Sequence, residues 1–474
     1  MPHVHFIAIA GTGMGSLAGL LKQRGFQVTG SDEGLYPPMS TALERWDVPV
    51  TVGFRAENVL ARRPDRVVIG NAVRPDNPEA RAAIDAKIPY VSFPDALYEY
   101  ALAERHPVVV TGTHGKTTTA SLVAALLLET GRDPSVLVGG IAANLDGSFR
   151  DGAGPHFVVE GDEYDTAFFD KTPKFLHYHA RTALLTSVEF DHADIYRDLD
   201  HVKSAFRKLV DGMPADGTLV AAVEEPNVAE VVEGAACRVL GYAVEGEGGE
   251  VLRAGRLQAG PGGTAFELRR AGERIGRGLL PAWGRHNVAN ALAALLCCES
   301  LGVPLAEAAA ALPRWRGVKR RQEVRGEAAG VTVIDDFAHH PTAVRETLAA
   351  LRARSPERRL VAVFEPRSNT SRRATFQADY ARAFDAADHV VVSVVPDAPI
   401  YSATGEVTER FSAECLATDL AARGVDAVAL DGVDAIVDHL VESHAPGDLV
   451  VTLSNGGFGG IWEKLLGRLA PGDG

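Results

Sequence analysis

Short apolar runs, many of them closed by glycine or an acidic residue, alternate along this chain with stretches whose apolar positions repeat at helical spacing. Up to residue 105 the pattern predicts strands at Val4–Ala10, Gln27–Gly30, Arg66–Gly70 and Tyr90–Ser92, with a helix at Ser16–Arg24. A second unit, 106–322, opens on the apolar run Val108-Val109-Val110. Between Val223 and Arg277 it becomes glycine-rich and strand-like, which predicts antiparallel strands with loose turns at Glu247–Glu250 and Gly260–Gly263. A buried helix is expected over Asn287–Leu301. A third unit, 323–474, carries strands at Val331–Ile334, Arg359–Phe364, His389–Val395, Ala427–Leu430 and Leu449–Leu453. Strand–helix alternation throughout predicts parallel α/β layers. No repeat of 20–50 residues is evident, and a frayed end is expected at Pro471–Gly474.

Length and composition sharpen this picture. At 474 residues three domains are expected: 1–105, 106–322 and 323–474. A hydrophobic content of 46% implies buried cores. A net charge of −14 without a long basic run argues against a nucleic-acid binder. The four cysteines, Cys237, Cys297, Cys298 and Cys415, lack both disulfide-framework and zinc spacing, which fits a reducing cytoplasm. The apolar start His5–Ala10 has no basic region before it and reads as a strand rather than a signal peptide. No stretch approaches the ~20 apolar residues of a membrane span.

The most informative chemistry lies at Gly112-Thr113-His114-Gly115-Lys116-Thr117-Thr118, directly after the apolar run. Strand, glycine turn and helix start together make a phosphate cradle. Backbone N–H groups converge on the anion, Lys116 reaches the β/γ-phosphates, and the Thr117 hydroxyl holds Mg²⁺. The loop departs from the usual spacing because Gly112 lies three residues before Gly115. Phe157-Val-Val-Glu160 is an apolar strand ending in a carboxylate suited to the same Mg²⁺; Asp162 and Glu163 just beyond it are left open, and Asp165 reads as a solvated acid. Thr182–Asp194 is again a strand running into acids, and its His192 is either a second metal ligand or a packing residue. Gly11-Thr12-Gly13-Met14-Gly15, with Asp32 some twenty residues on, approximates a dinucleotide-binding turn. It leaves open a nicotinamide-dependent oxidoreductase, although that reading does not explain the phosphate loop. A nucleotide-driven switch without turnover is a further alternative.

The ordered set G-T-H-G-K-T-T-T, E-x-D-E, E-F-D-H-A-D, G-R-H-N-x-x-N-A, R-R and D-D-F-A-H-H-P-T resembles the ATP-dependent Mur ligases of bacterial cell-wall synthesis, from Gly11 to Gly460. The resemblance implies a Rossmann-like N-terminal domain for a UDP-sugar. It also implies a central P-loop ATPase-like α/β domain with an antiparallel subsheet, and a Rossmann-like C-terminal domain that brings the amine. It assigns ATP phosphates and Mg²⁺ to Lys116, Thr117, Glu160 and His192, adenine to Asn290, phosphate to Arg321 and ribose to Asp336. It assigns the UDP-sugar to Gly11–Gly15, Ser31, Asp32 and Asn71. His339 and His340 become acid–base candidates near the acceptor, and Arg367, Asn369 and Asn455 candidates for peptide contacts. Where other family members carry a carbamylated lysine this chain has Arg207, with Lys203 out of register, so none is expected. Four segments, Ser31–Ser40, Glu163–Lys171, Glu365–Thr370 and Ser454–Gly460, depart from the alanine-adding branch. They are similar to the branch that joins UDP-N-acetylmuramate to the murein tripeptide L-Ala-γ-D-Glu-meso-diaminopimelate. The alanine-adding reaction is the nearest alternative. Neither reading calls for a membrane or a protein partner. Pro107 and Arg321–Glu323 are the expected hinges for domain closure.

Overall fold

The computed structural model describes residues 2–470 apart from 38, 146, 247–248, 397 and 403–406. The expected frayed end at 471–474 therefore lies outside the described residues, as do Pro38 of Ser31–Ser40 and the first half of the Glu247–Glu250 turn.

The first domain is a five-stranded parallel sheet in the spatial order Val50–Val52, Gln27–Asp32, His3–Ile7, Arg66–Ile69, Tyr90–Ser92. The first strand stops at Ile7 rather than Ala10. Ala8 turns into the left-handed region (φ 67°), and the N–H groups of Ala8 and Ile9 both bond to the Ser31 carbonyl. The helix that follows, Thr12–Gln23, packs on the central domain through its small residues. A Cβ on Gly19 would come within 2.7 Å of Phe149 and Trp46, Ser16 Oγ lies 2.6 Å from Ser148 Oγ, and Arg24 grips Asp151 with two hydrogen bonds.

The central domain is built on a ten-stranded sheet. Seven neighbouring strands, from Leu252–Gly260 across to Ser135–Ala142, run parallel, and antiparallel strands finish both ends. The antiparallel subsheet thus begins later than expected. Arg238–Val244 pairs parallel with Thr218–Ala222 because the helix Pro226–Val232 supplies a crossover. The third domain has six strands in the order Glu323–Ala328, Val331–Asp336, Leu449–Leu453, Leu360–Phe364, His389–Ser393, Asp426–Leu430. All pairs are parallel except the first. Alternating valines feed separate apolar clusters on its two faces. Its antiparallel edge strand escaped the periodicity reading because Glu323-Val-Arg-Gly-Glu-Ala328 has no buried face.

The core of the first domain is continuous with that of the central domain. The third domain has its own clusters and meets the central one through Phe190. The connection between them bends at Arg320 (φ 62°) and Gln322 (φ 51°), both left-handed without being glycine. No described helix is long and apolar enough to cross a membrane.

Candidate active site

The phosphate loop joins the strand His106–Thr111 to the helix Lys116–Glu129. Gly112 (φ 128°) and Gly115 (φ 81°) hold left-handed backbone there, and a Cβ at Gly115 would stand 2.5 Å from Asn290 Oδ1. Glycine is thus required twice, and Asn290 lies directly against the loop. The segment after Thr182–Leu185 braces it: Ser187 accepts from Thr113 N at 3.0 Å and, through its hydroxyl, from His114 N at 2.9 Å. Those two N–H groups are occupied. The N–H groups of Lys116, Thr117 and Thr118 open the helix without intrahelical partners and remain for an anion.

The charges around the loop form one network. Lys116 Nζ donates to Gly112 O at 2.7 Å and to Glu163 Oε2 at 2.7 Å. Glu163, almost fully buried, also faces His192 Nε2 at 3.2 Å. Burial alone would push Glu163 up, but Lys116 and His192 outweigh it and hold it at about 2. Burial likewise opposes the charge on His192, yet Asp191 and Glu163 raise it to about 9. Glu160 accepts from Thr117 Oγ1 at 3.0 Å and from Gly139 N at 2.6 Å. Burial, followed by the neighbouring Asp162, raises it. Thr117 and Glu160 therefore place a hydroxyl and a carboxylate side by side, as an oxygen-liganded divalent cation requires. His192 stands as an imidazolium toward Glu163, and binding a metal through Nε2 requires it to give up that proton.

A cavity of about 310 Å³ opens next to this network, between the first and central domains. Gly11, Thr12, Gly13, Met14 and Asn71 line one side, and Gly139, Glu160, Asp162, Tyr164, Lys174 and Tyr178 the other. Two residues expected nearby have internal partners. Ser31 is fully buried and donates to Glu79 at 2.9 Å, and Asp32 Oδ2 accepts from Ala10 N at 2.8 Å, fixing the glycine turn from behind. Gly15 packs beneath Met39 rather than facing the cavity.

The third domain closes on the loop from the other side. Thr342 Oγ1 donates to Glu189 at 2.6 Å. Glu189 has His114 Nε2 and His340 Nδ1 at 3.6 and 3.8 Å, and one nitrogen from each imidazole and the carboxylate oxygen lie within 4.8 Å of one another. His340 accepts from Thr342 N at 3.2 Å, which caps the helix Pro341–Arg354, and faces Phe190 O at 3.1 Å. That pattern needs the neutral Nε2–H tautomer. Burial, with His114 adding to it, holds His340 at about 4, so it is neutral. His339 is lowered chiefly by burial; its ring Nδ1 faces Phe337 O at 3.1 Å within its own turn, and Tyr380 donates to its carbonyl.

Asn369 reaches Asp194 at 3.3 Å, two residues past His192, and Thr370 Oγ1 accepts from Ala193 N at 3.0 Å. Arg367 lies over Gly456, where a Cβ would overlap its guanidinium, and Ser454 hydrogen-bonds Glu365. The two distant segments Glu365–Thr370 and Ser454–Gly460 are thus one surface. Asn455 Oδ1 is buried there without a partner. Asp336 accepts from Gln322 N and Ala338 N, both at 2.8 Å, and Arg321 stacks 4.9 Å from the Phe337 ring centre. Arg207 and Lys203 point to another surface and bind Asp211 and Glu230.

Four residues at this site receive no role from the motifs alone. Glu163 is the counter-ion of Lys116, which its place in E-x-D-E does not reveal. Glu189 opens E-F-D-H-A-D and Thr342 closes D-D-F-A-H-H-P-T, but nothing local in either motif shows that the two pair across a domain seam. Lys174 lies just past Glu163–Lys171, and its one hint is a cation entering the mostly apolar run Phe175–Tyr178.

Three family models match the chain in order: Mur ligase family, catalytic domain, over 3–105; Mur ligase middle domain over 110–298; and Mur ligase, glutamate ligase domain, over 320–456. The chain is 40% identical over 472 residues to the UDP-N-acetylmuramate–L-alanyl-γ-D-glutamyl-meso-2,6-diaminoheptandioate ligase of Escherichia coli K12, with 98% of each protein covered. A murein peptide ligase structure from Psychrobacter arcticus 273-4 matches at 34% identity and a TM-score of 0.74, covering 99% of both chains. The UDP-N-acetylmuramate–alanine ligase of Thermotoga maritima matches at 25% identity and a TM-score of 0.81, again over 99% of both. With three domain models along its length and full-length relatives of this identity, the chain belongs to the Mur ligase family.

Proposed function

We propose that this protein is an ATP-dependent amide ligase that joins UDP-N-acetylmuramate to the tripeptide L-Ala-γ-D-Glu-meso-diaminopimelate, releasing ADP and phosphate, in cell-wall recycling. The observation that carries the reading is the cavity whose opposite walls are the Gly11–Met14 turn and Glu160. It gives a nucleotide sugar a path from a helix N-terminus to the phosphate loop. The identity to the tripeptide-adding relative supports the choice of acceptor.

The donor carboxylate and the ATP γ-phosphate are both anions, so their approach requires cations held in place beforehand. Lys116 is positioned for this once the phosphates displace Glu163 from it. Thr117 and Glu160 would hold Mg²⁺, joined by His192 after loss of its proton, and the ion would supply further charge neutralisation. The carboxylate oxygen bonds to phosphorus as the bond to ADP breaks, giving an acyl phosphate. The acceptor amine then attacks the acyl carbon and phosphate leaves. The amine must shed a proton, and His339, neutral and without a cross-domain bond, is better placed to take it than His340, whose nitrogens are engaged. Arg367 and Asn455, with Asn369 beside them, form the surface proposed to read the peptide's carboxylates.

The test is phosphate release with ATP, Mg²⁺ and UDP-N-acetylmuramate, comparing the tripeptide with free L-Ala. Release driven by the tripeptide is expected. A preference for L-Ala would make this an alanine-adding enzyme. Binding of nicotinamide cofactor in place of ATP would return the oxidoreductase reading.

A further inference from the structure

The cavity between the first two domains must accept a donor with several negative charges, yet its own ionised walls are mainly acidic. Glu160 and Asp162 both face it, and Lys174 is the single cation among its described lining residues. Lys116 and Arg321 lie outside that lining, at the nucleotide side.

Lys174 is held in an unusual way. It begins the turn Lys174–Tyr178, which packs on the first-domain helix Phe93–Leu97. Its side chain is 9% exposed, and among the described residues its ammonium makes one hydrogen bond, at 3.3 Å to Asp162 Oδ2. Two aromatic rings provide the rest of its surroundings: Tyr164, 4.1 Å from Nζ to the ring centre, and Phe93 at 5.5 Å. Ring faces attract a cation without occupying its N–H groups. A buried ammonium with one long hydrogen bond therefore keeps donors for an anion that enters the cavity.

Its neighbours fix where that anion sits. A Cβ on Gly13 would lie 3.4 Å from the Phe93 ring, and the Tyr164 ring centre is 5.4 Å from that of His192. Gly13, Phe93, Lys174, Tyr164 and His192 thus form a continuous line from the first-domain turn to the loop network. Lys174 occupies its middle, next to Asp162, which stands two residues in sequence from Glu160. We infer that Lys174 binds the carboxylate of the acyl donor and holds it beside Glu160 for phosphoryl transfer. The inference rests on the functional reading above.

The test is Lys174→Met in the full-length enzyme, measured by ADP release and by binding of two nucleotide sugars. UDP-N-acetylmuramate carries the carboxylate; UDP-N-acetylglucosamine lacks it and serves as a probe of the nucleotide end. KM for UDP-N-acetylmuramate should rise about tenfold or more while KM for ATP changes less than about twofold. Affinity for UDP-N-acetylglucosamine should be unchanged, and Lys174→Arg should recover part of the loss. An unchanged KM for the donor would overturn the assignment. So would equal weakening of both nucleotide sugars, which would place Lys174 at the diphosphate, or a parallel rise in both KM values, the mark of a merely structural role. If Lys174→Met does not fold, Lys174→Arg keeps the charge, and the donor KM must then move without the ATP KM. A wild-type enzyme with no UDP-N-acetylmuramate-dependent ADP release would instead overturn the functional reading itself.

Discussion

Lys116 shows how much one side chain's position depends on its neighbours. Its ammonium rests on Glu163 and on a loop carbonyl, and burial, which alone would lower its pKa, is outweighed by Glu163, Asp162 and Glu160. The Lys116 ammonium is therefore paired within the fold, and phosphate binding as proposed would exchange one anion for another instead of burying a bare cation. Lys116→Ala should cut ADP release by about 10²–10³-fold or more while the far-UV circular dichroism stays native. Turnover retained within tenfold would remove Lys116 from the phosphate site. His340 makes the complementary point. A histidine in Asp335-Asp-Phe-Ala-His-His-Pro341 looks like an acid–base group, but its ring caps a helix and bridges to Phe190 O.

Between elements, two contacts across domain seams carry their own predictions. His177, on the turn that also holds Lys174, lies 2.8 Å from Asp95 on the first-domain helix. Burial would lower His177, but the hydrogen bond and charge of Asp95 raise it above 6.5, and the same pairing, opposed by burial, lowers Asp95 below 3.8. A raised histidine stabilises the fold below its unfolded pKa, and that contribution fades as pH rises through the folded value. A lowered aspartate stabilises above its unfolded value and is lost as pH falls through the folded one. The pair is thus strongest between about pH 4 and 6.5. Asp95 is 43% exposed, so solvent screening limits the effect to about 1 kcal/mol or less. His177→Gln should lower the melting temperature at pH 5.5 and leave it nearly unchanged at pH 9. An equal loss at both pH values would show that the charge is irrelevant. At the other seam, Thr342→Val keeps the side-chain shape and removes the 2.6 Å bond to Glu189. A hydrogen bond to a charged group contributes about 1.5–3 kcal/mol, so turnover at low acceptor concentration should fall about tenfold. Faster amide exchange over residues 189–194 would accompany it, and unaltered exchange would mean that the bond does not fasten the third domain.

At the scale of the whole molecule, the cores explain which parts move together. The first and central domains share one apolar cluster, so the cavity between them is a standing feature of the fold. The third domain has separate clusters and meets the rest through Phe190, the Glu189–Thr342 bond and the Thr370–Ala193 contact. Polar contacts of that kind open more readily than a shared core. The proposed acceptor surface of Glu365–Thr370 and Ser454–Gly460 is thereby mounted on the third domain, with the left-handed Arg320 and Gln322 at its root. Such closure would shield an acyl phosphate from water.

The sequence by itself determined the three-part α/β order, most strand positions and the glycine turn between the strand His106–Thr111 and the helix Lys116–Glu129. Each of these is written locally, in a periodicity of two or 3.6, or in glycines that must take left-handed backbone at Gly112 and Gly115. The edge strand Glu323–Ala328 and the parallel pairing of Arg238–Val244 were not legible, because one has no buried face and the other owes its direction to a crossover. Only the tertiary structure decided that Glu163 neutralises Lys116, that Ser31 donates to Glu79, that Arg367 lies on Gly456, and that Lys174 reaches Asp162 at the cavity. These residues stand 47, 48, 89 and 12 positions from the partners named for them. Electrostatic pairing and burial act through space, and no local pattern along the chain encodes which distant charge will become a neighbour.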